Sequence, residues 1–468
     1  MKTSCKLEKN NDLLNRALVI QNKDLLGLKK NEKEYAFTFI YPPSMVLSKL
    51  ESEPFGGRIE SANMYIHIPY CTGKCTYCYF GCYSLAEAPL GKNQYVERLC
   101  KEMEMINKKY GSVKIQSLHF GGGTPTTLTE QNFDKIFTSI RNNFDLKSNI
   151  EITCESSPET ISEKKLICLL KNGVNRLNIG IQTLNNQLLK NINRRHDANQ
   201  AIESIIMAKK EGFKNINVDL IYGLEEQTMK DWEETLHTIL DLNLESISTY
   251  RLRIHPNSKI RDQASLFDEK LAIEMYVAML NIMGQYQYYQ CSSHKFAIKK
   301  ELAQKQIVNK RGIKNNTLIP VGMAAYGYIG KTLFWNERRM ENYIHKIDNN
   351  LLPYSIGYKL DKIEEMAKSC VLGIHNVEGI NLIEFTEKFG QDINSIYGNL
   401  IYDLKKNELI EITKSHLKLS KLGMVFADEI ATKFYSDTIK KMLSKKKKKY
   451  GIFFDDIIDG REIKNEVM

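Results

Sequence analysis

From residue 64 onward, short runs rich in β-branched and apolar residues alternate with longer stretches whose apolar side chains share one helical face. The runs are MYIHIPY (64–70), IQSLHFGGG (115–123), IEITCES (150–156), RLNIGIQT (176–183), INVDLIYG (216–223) and SISTYRLRI (246–254). Between them lie stretches such as NQYVERLCKEMEMINKKYG, SEKKLICLLKNG and DANQAIESIIMAKKEG, the last two ending at a glycine placed to stop a helix. Six strand–helix units in series predict parallel strands with right-handed crossovers, as an open doubly wound sheet or an incomplete β/α barrel. In both, reactive residues belong at the C-terminal ends of the strands. The chain fits that rule: cysteines follow the first run, glycines end the second, Glu155 ends the third, Gln182 the fourth, and Asp219 lies late in the fifth.

The flanks read differently. Residues 1–60 are polar and close in ESEPFGGRIESAN, a linker by its Pro, Gly and Ser content. The alternating rhythm assigns 61–260 to a barrel core. Residues 261–355 turn helical and then irregular, with LIPVGMAAYGYIG (318–330) as a buried strand or loop, and are taken as an extension that completes the site. Residues 356–440 read as short helices, a hairpin and another helix, a winged-helix-like unit. Such a unit can bind DNA, but a lid or packing role is the expectation here, since fold alone does not decide function. The run KKMLSKKKKKYG (440–451) leads into a basic tail, 441–468, expected to be solvated and frayed.

Composition narrows the class. The 468 residues, 42% hydrophobic and 26% charged, suit a globular chain of more than one domain. No apolar run approaches the ~20 residues a membrane span needs, and the N-terminus lacks a signal-peptide pattern. A cytoplasmic protein is expected. Much of the net charge of +10 sits in the lysine run. That run has no interleaved aromatics and no visible basic face, which argues against a nucleic-acid partner.

Four of the ten cysteines, Cys71, Cys75, Cys78 and Cys82, fall within a dozen positions. In a reducing compartment, clustered thiols point to metal or catalysis rather than disulfides. A structural zinc would need a fourth ligand, from Cys82 or His67. An iron–sulfur cluster held by the first three would keep one iron open to a small molecule, and this is the stronger of the two readings.

CTGKCTYC, with Tyr77 before the third cysteine, resembles the signature of the radical S-adenosylmethionine (SAM) superfamily. Residues 64 to about 335 further resemble the oxygen-independent coproporphyrinogen III oxidase family. The stretches that carry this likeness are YIHIPYC, HFGGGTPTTL, EITCESSPET, NIGIQTLNNQLLKNINRRHD, NVDLIYGL and YRLRIHP. The resemblance implies an α/β fold: a partial (β/α)6 TIM-type barrel with a smaller, mainly helical, winged-helix-like C-terminal domain. It implies a [4Fe–4S] cluster on Cys71, Cys75 and Cys78, with SAM chelating the fourth iron. Reductive cleavage of SAM would release a 5′-deoxyadenosyl radical that abstracts hydrogen from substrate. Gly121, Gly122, Gly123 and Thr124 would lie along the methionine moiety. Arg194, with Arg195 as a rival, would meet the SAM carboxylate. Glu155, Gln182 and Asp219 match further SAM-contacting positions, and Tyr65 a tyrosine near the cluster.

Where oxidases of this family carry a further cysteine, this chain has Phe80, with Cys82 two residues on. Relatives with Phe there include haem chaperones and class C radical SAM methyltransferases. The His-Asn-x-x-Tyr-Trp stretch associated with the chaperones is absent. Tyr326 falls where the methyltransferase branch contacts a second SAM. The expectation is therefore a radical SAM enzyme, of methyltransferase type, that methylates or alkylates an aromatic or tetrapyrrole-like substrate. The rivals are oxidative decarboxylation of coproporphyrinogen and a haem chaperone with a vestigial site. A reduced flavodoxin- or ferredoxin-type protein is the expected electron donor. His255 and His294 are secondary candidates as proton donors or haem ligands.

Overall fold

The computed structural model describes residues 2–27, 39–50, 53–254, 258–260, 268–302 and 317–450. Each of the six runs forms a strand: β1 Ser61–Ile68, β2 Lys114–Gly122, β3 Asp145–Ser156, β4 Arg176–Gln182, β5 Ile216–Tyr222 and β6 Ser246–Arg251. They pair side by side in chain order, all parallel. Burial along them is nearly continuous, as parallel strands covered on both faces require. Helices Lys92–Tyr110, Glu130–Asn143, Glu163–Lys171, Ala198–Glu211 and Met229–Asp241 make the crossovers. Thr129, Ser162, Asp197 and Thr228 cap the last four by accepting a backbone N–H. Gly212, with φ of 107°, takes the left-handed conformation that ends the fourth.

The sheet does not close. Tyr289–Ser292 (β7) and Lys295–Ala297 (β8) form a hairpin whose second strand pairs antiparallel with β6. On the opposite edge Leu318–Val321 (β9) runs parallel to β1, followed outward by antiparallel Tyr326–Ile329 (β10), Thr332–Asn336 (β11) and Tyr354–Lys359 (β12). The segment expected as one strand or loop is thus two strands, and β11 and β12 arise where the sequence read as irregular. Strands this short show too few alternations for periodicity to register. Gly327 makes the β9–β10 turnback possible, since a Cβ there would lie 2.4 Å from Pro320 Cδ.

The C-terminal unit holds helices Lys362–Gly373, Leu382–Phe389 and Asn394–Lys406 and a small sheet of Ile380–Asn381 (β13), Ile410–Ile412 (β14) and His416–Leu419 (β15), in the order β13-β15-β14. Two short helices follow, Lys421–Val425 and Ala427–Lys433. The final helix, Asp437–Tyr450, runs on through the lysine run that was expected to fray. Buried Ile439, with Met442 and Leu443 against the core, supplies the apolar anchor for its first turns. Residues 451–468 of the tail lie outside the described residues.

The N-terminal helix, Lys2–Lys23, packs Ala17 and Ile20 into the core. Downstream of it, the Tyr41 hydroxyl donates to Glu364 and accepts from the Ser436 amide at 3.3 Å, while Ser436 Oγ donates to Glu364 at 2.6 Å. These bonds strap residues 39–46 across the C-terminal unit. No described helix is long and apolar enough to cross a membrane.

Candidate active site

A cavity of about 630 Å³ opens at the C-terminal ends of the barrel strands. Its floor is the cysteine loop. The two-residue strands Tyr70–Cys71 and Tyr83–Ser84 pair in parallel, closing the loop at its base. The Tyr83 amide donates to Pro69 O at 2.7 Å and that of Leu85 to Cys71 O at 2.9 Å. The loop is also tied to the end of the short helix Asn186–Asn191 that follows β4: Thr76 N reaches Ile192 O at 3.2 Å, and Asn193 Nδ2 reaches Lys74 O at 2.7 Å. Cys71, Cys75 and Cys78 line the cavity, whereas Cys82 does not.

These residues fit an iron–sulfur cluster. Among the described residues no three His, Cys, Asp or Glu side chains gather closely enough for a single metal ion. A tetrahedral zinc with Zn–S near 2.3 Å would hold its sulfurs within about 4 Å of one another. Three soft thiols lining one cavity suit a cluster that offers each its own iron. Burial pushes the Cys75 thiol's pKa up, and Arg194 Nη1, 3.5 Å from its Sγ, offsets part of that. Thr124 Oγ1 lies 3.7 Å from Cys71 Sγ.

The glycines have a packing reason of their own. A Cβ on Gly121 would sit 3.0 Å from the Tyr65 ring, on Gly122 2.8 Å from the His67 ring, and on Gly123 2.6 Å from Tyr70 O and 3.0 Å from Cys71 Sγ. Gly122 and Gly123 line the cavity and Gly121 packs behind them. A side chain on this strip would push the cysteine loop away from β2.

Around the floor stand the other expected residues. Glu155 lines the cavity and takes a 2.9 Å contact from His119 Nε2. Gln182 has φ of 72° beside a register shift in the β4–β5 pairing, a bulge that re-aims its side chain. Asp219 also lines the cavity. Burial raises its pKa, and Asn217 Nδ2 donates to it at 2.8 Å. The Arg194 fork is partly used: Nη2 donates to Ser157 Oγ at 2.6 Å and to Gly180 O, while buried Nε has no partner. Arg195 packs over Gly73 at the cavity edge.

Glu159 was not singled out in the sequence, although it lies inside ESSPET. Burial alone would raise its pKa, but the His196 ring 3.5 Å away, the nearby Arg194 charge and hydrogen bonds from Ser157 and Thr72 hold it down to about 2. It anchors the cysteine loop, accepting from Thr72 Oγ1 at 2.7 Å. His67 was considered only as a zinc ligand. Instead its Nε2 lies 2.9 Å from Gly81 O and must donate there, leaving Nδ1 to accept from the Tyr65 hydroxyl at 3.2 Å. Burial lowers its pKa to about 4, so the ring is neutral.

The walls are aromatic. Tyr65 and Tyr326 have ring centroids 5.7 Å apart, and Tyr326 and Trp335 5.5 Å apart. Across the cavity His294 packs between Phe39, at 4.9 Å, and Tyr250, at 5.2 Å. Ser293 Oγ joins His294 Nδ1 and His375 Nδ1 at 3.1 and 3.2 Å. Behind them Arg253 pairs with Asp428 at 2.5 Å and Glu429 at 3.5 Å. His255 lies outside the described residues.

Residues 65–239 match the family described as the Radical SAM superfamily, and residues 360–426 match the HemN C-terminal domain. The chain is 31% identical over 381 residues to heme chaperone HemW of Bacillus subtilis (strain 168), a match spanning 80% of this chain and 99% of that protein. It is 26% identical over 395 residues to the oxygen-independent coproporphyrinogen III oxidase of Salmonella typhimurium, spanning 80% and 85%. Among solved structures, coproporphyrinogen III oxidase (HemN) from Escherichia coli shares the fold, with a TM-score of 0.74 at 21% identity over 84% of this chain and 96% of that one.

Proposed function

The chain belongs to the radical SAM superfamily, within the family that includes oxygen-independent coproporphyrinogen III oxidase and heme chaperone HemW, and we propose that it is an enzyme that starts radical modification of a flat, aromatic or tetrapyrrole-like substrate. One observation carries this reading: three thiols, the glycine strip and Arg194 face the same cavity as an aromatic wall. In it Cys71, Cys75 and Cys78 hold a [4Fe–4S] cluster. When bound with SAM, that cluster supplies the electron that cleaves the sulfonium and starts hydrogen abstraction. A flavodoxin- or ferredoxin-type protein is the proposed source of the electron.

The chain's own residues bind and orient. Arg194, through its unpartnered Nε, attracts the SAM carboxylate, and Gly122, Gly123 and Thr124 leave room for the methionine moiety beside them. Glu155, Gln182 and Asp219 offer polar contacts to the amino and ribose groups. Tyr65, Tyr326 and Trp335 stack on a flat substrate and exclude water from the reacting centre. We take 61–260 as the barrel core, 1–60 and 261–355 as extensions that finish the cavity, 356–440 as a lid-like unit and 441–468 as a tail.

In its finer form the reaction is methyl or alkyl transfer from a second SAM. The support is Tyr326, beside Tyr65 on a wall with space for more than one ligand. A second reading, a haem-holding protein, is favoured by the name of the Bacillus subtilis relative and by His294 on the opposite wall.

The test is turnover of anaerobically reconstituted protein with reductant, methyl-labelled SAM and candidate tetrapyrroles. Formation of 5′-deoxyadenosine together with S-adenosylhomocysteine supports transfer. Carbon dioxide released from coproporphyrinogen replaces it with oxidative decarboxylation. Tight haem binding without SAM cleavage overturns the enzyme reading in favour of the chaperone.

A further inference from the structure

Lys295 lines the cavity at 8% exposure and has no part in the function above. Ser248 on β6 lies opposite Asp219 on β5 and opposite Lys295 on β8, so the three form one row across the sheet. Hydrogen bonds follow that row. Lys295 Nζ donates to Ser248 Oγ at 3.2 Å, Ser248 Oγ to Asn217 Oδ1 at 3.1 Å, and Asn217 Nδ2 to Asp219 Oδ1 at 2.8 Å. The two ends fix the direction. An ammonium can only donate and a carboxylate can only accept, so the hydroxyl and amide between them each pass one bond along. Ser248 and Asn217 are buried, where bonds in series strengthen one another.

A buried ammonium is costly unless an anion stands near it. The anion of this row is Asp219. Two further charged groups act on that carboxylate, Glu155 on β3 and Arg176 on β4. Arg176 spends its guanidinium on Asn215, Leu302 O and Ser246, and Glu155 works against a second negative charge. Tyr250 lies two residues beyond Ser248 on the same face of β6, and an ordinary phenol is neutral until about pH 10. Burial raises the Asp219 pKa, and the Lys295 charge is the strongest influence opposing that rise.

We propose that Lys295 is a positioning residue for SAM: it supplies the counter-charge of Asp219 and, through Ser248 and Asn217, holds that carboxylate turned for the ribose hydroxyls. The inference rests on the SAM reading of Asp219 above. Hydroxyls that donate to a carboxylate need it ionised, because a protonated acid offers a donor where an acceptor is wanted. Lys295 thus acts on SAM through Asp219, without touching it.

The experiment is equilibrium dialysis of labelled SAM against anaerobically reconstituted, unreduced full-length protein between about pH 5 and pH 8, where carboxylates with raised pKa values titrate. Binding is then read without turnover. Wild type, Lys295→Met, Lys295→Arg, Asp219→Asn and the double variant of Lys295→Met with Asp219→Asn are compared. Removing the counter-charge lifts the Asp219 pKa further, so the loss of affinity on acidification should begin at higher pH in Lys295→Met. Near neutral pH its dissociation constant should rise about tenfold, the scale of one bond to a charged group. Lys295→Arg should recover most of both changes. In the Asp219→Asn background, Lys295→Met should add little. Wild-type affinity and pH profile in Lys295→Met overturn the inference. An equal loss in both backgrounds also overturns it, and makes the effect of Lys295 purely structural. Wild-type SAM binding by Asp219→Asn sinks the ribose reading of Asp219 itself, and this inference with it.

Discussion

The two sides of the cavity are built on different principles. The cysteine side draws its residues from loops directly after successive barrel strands, and each is held by near neighbours: Cys71 by the β1 turn, Glu159 by Ser157, Gln182 by its bulge. The opposite side is assembled from distant parts of the chain. Phe39 meets His294 and His375, and Arg253 meets Asp428, 175 residues away. The first arrangement puts reactive groups where the strand ends dictate. The second leaves the shape of the substrate space to whichever segments are brought across it, so relatives can share the chemistry and differ in what they accommodate.

Variants on each side should therefore fail differently. The largest effect is expected from Arg194→Ala, which takes the guanidinium from Cys75, Ser157 and Gly180 and leaves partly buried Glu159 without its nearby cation. Stability should fall by about 3–5 kcal/mol in denaturant titrations, and 5′-deoxyadenosine formation should be lost with any substrate.

Next is the seam between the two sides. Glu102, on the helix after β1, accepts from Gly322 N at 2.7 Å, Asn336 Nδ2 at 2.9 Å and Tyr343 OH at 2.7 Å. Burial raises its pKa from 4.5 to about 7 against those bonds. The folded protein thus binds more protons than the unfolded chain between those values. Stability from this group is full below about pH 4.5 and declines as pH rises towards 7, by on the order of 3 kcal/mol. Urea unfolding at pH 5 and pH 8 should show the decline, and Glu102→Gln should flatten it.

On the distant wall, Asp428→Asn leaves Arg253 with Glu429 alone. Substrate KM should rise about tenfold, roughly 1.4 kcal/mol, while SAM cleavage without substrate stays unchanged. A parallel loss of both would mean the sides are not separable. The smallest effect is expected from Tyr326→Phe, which keeps the stack between Tyr65 and Trp335 and should alter stability and substrate binding by under about 0.5 kcal/mol.

The same division decides what could be read in advance. All six barrel strands follow from alternating patterns, and the thiols, glycines, Glu155, Gln182 and Asp219 from their places at strand ends. Glu159 was passed over because a neighbouring carboxylate in the same stretch already filled the expected position, and only the turn after β3 shows which one anchors the loop. β9 and β10 were legible only as one buried strand or loop, because runs of four residues show no period, and β11 and β12 were not read as strands. Arg253, Asp428, His375 and Phe39 are ordinary residues in their local sequence, and nothing nearby marks them as neighbours.

The strap at Tyr41 sets an order of events as well as a shape. It bonds to Ser436, 395 residues later in the chain, so the earlier segment must wait for one synthesised much later before it can settle. Until then Phe39, Ile40 and residues 43–45 cannot take their places in the cavity wall, and that side of the pocket is the later one to form.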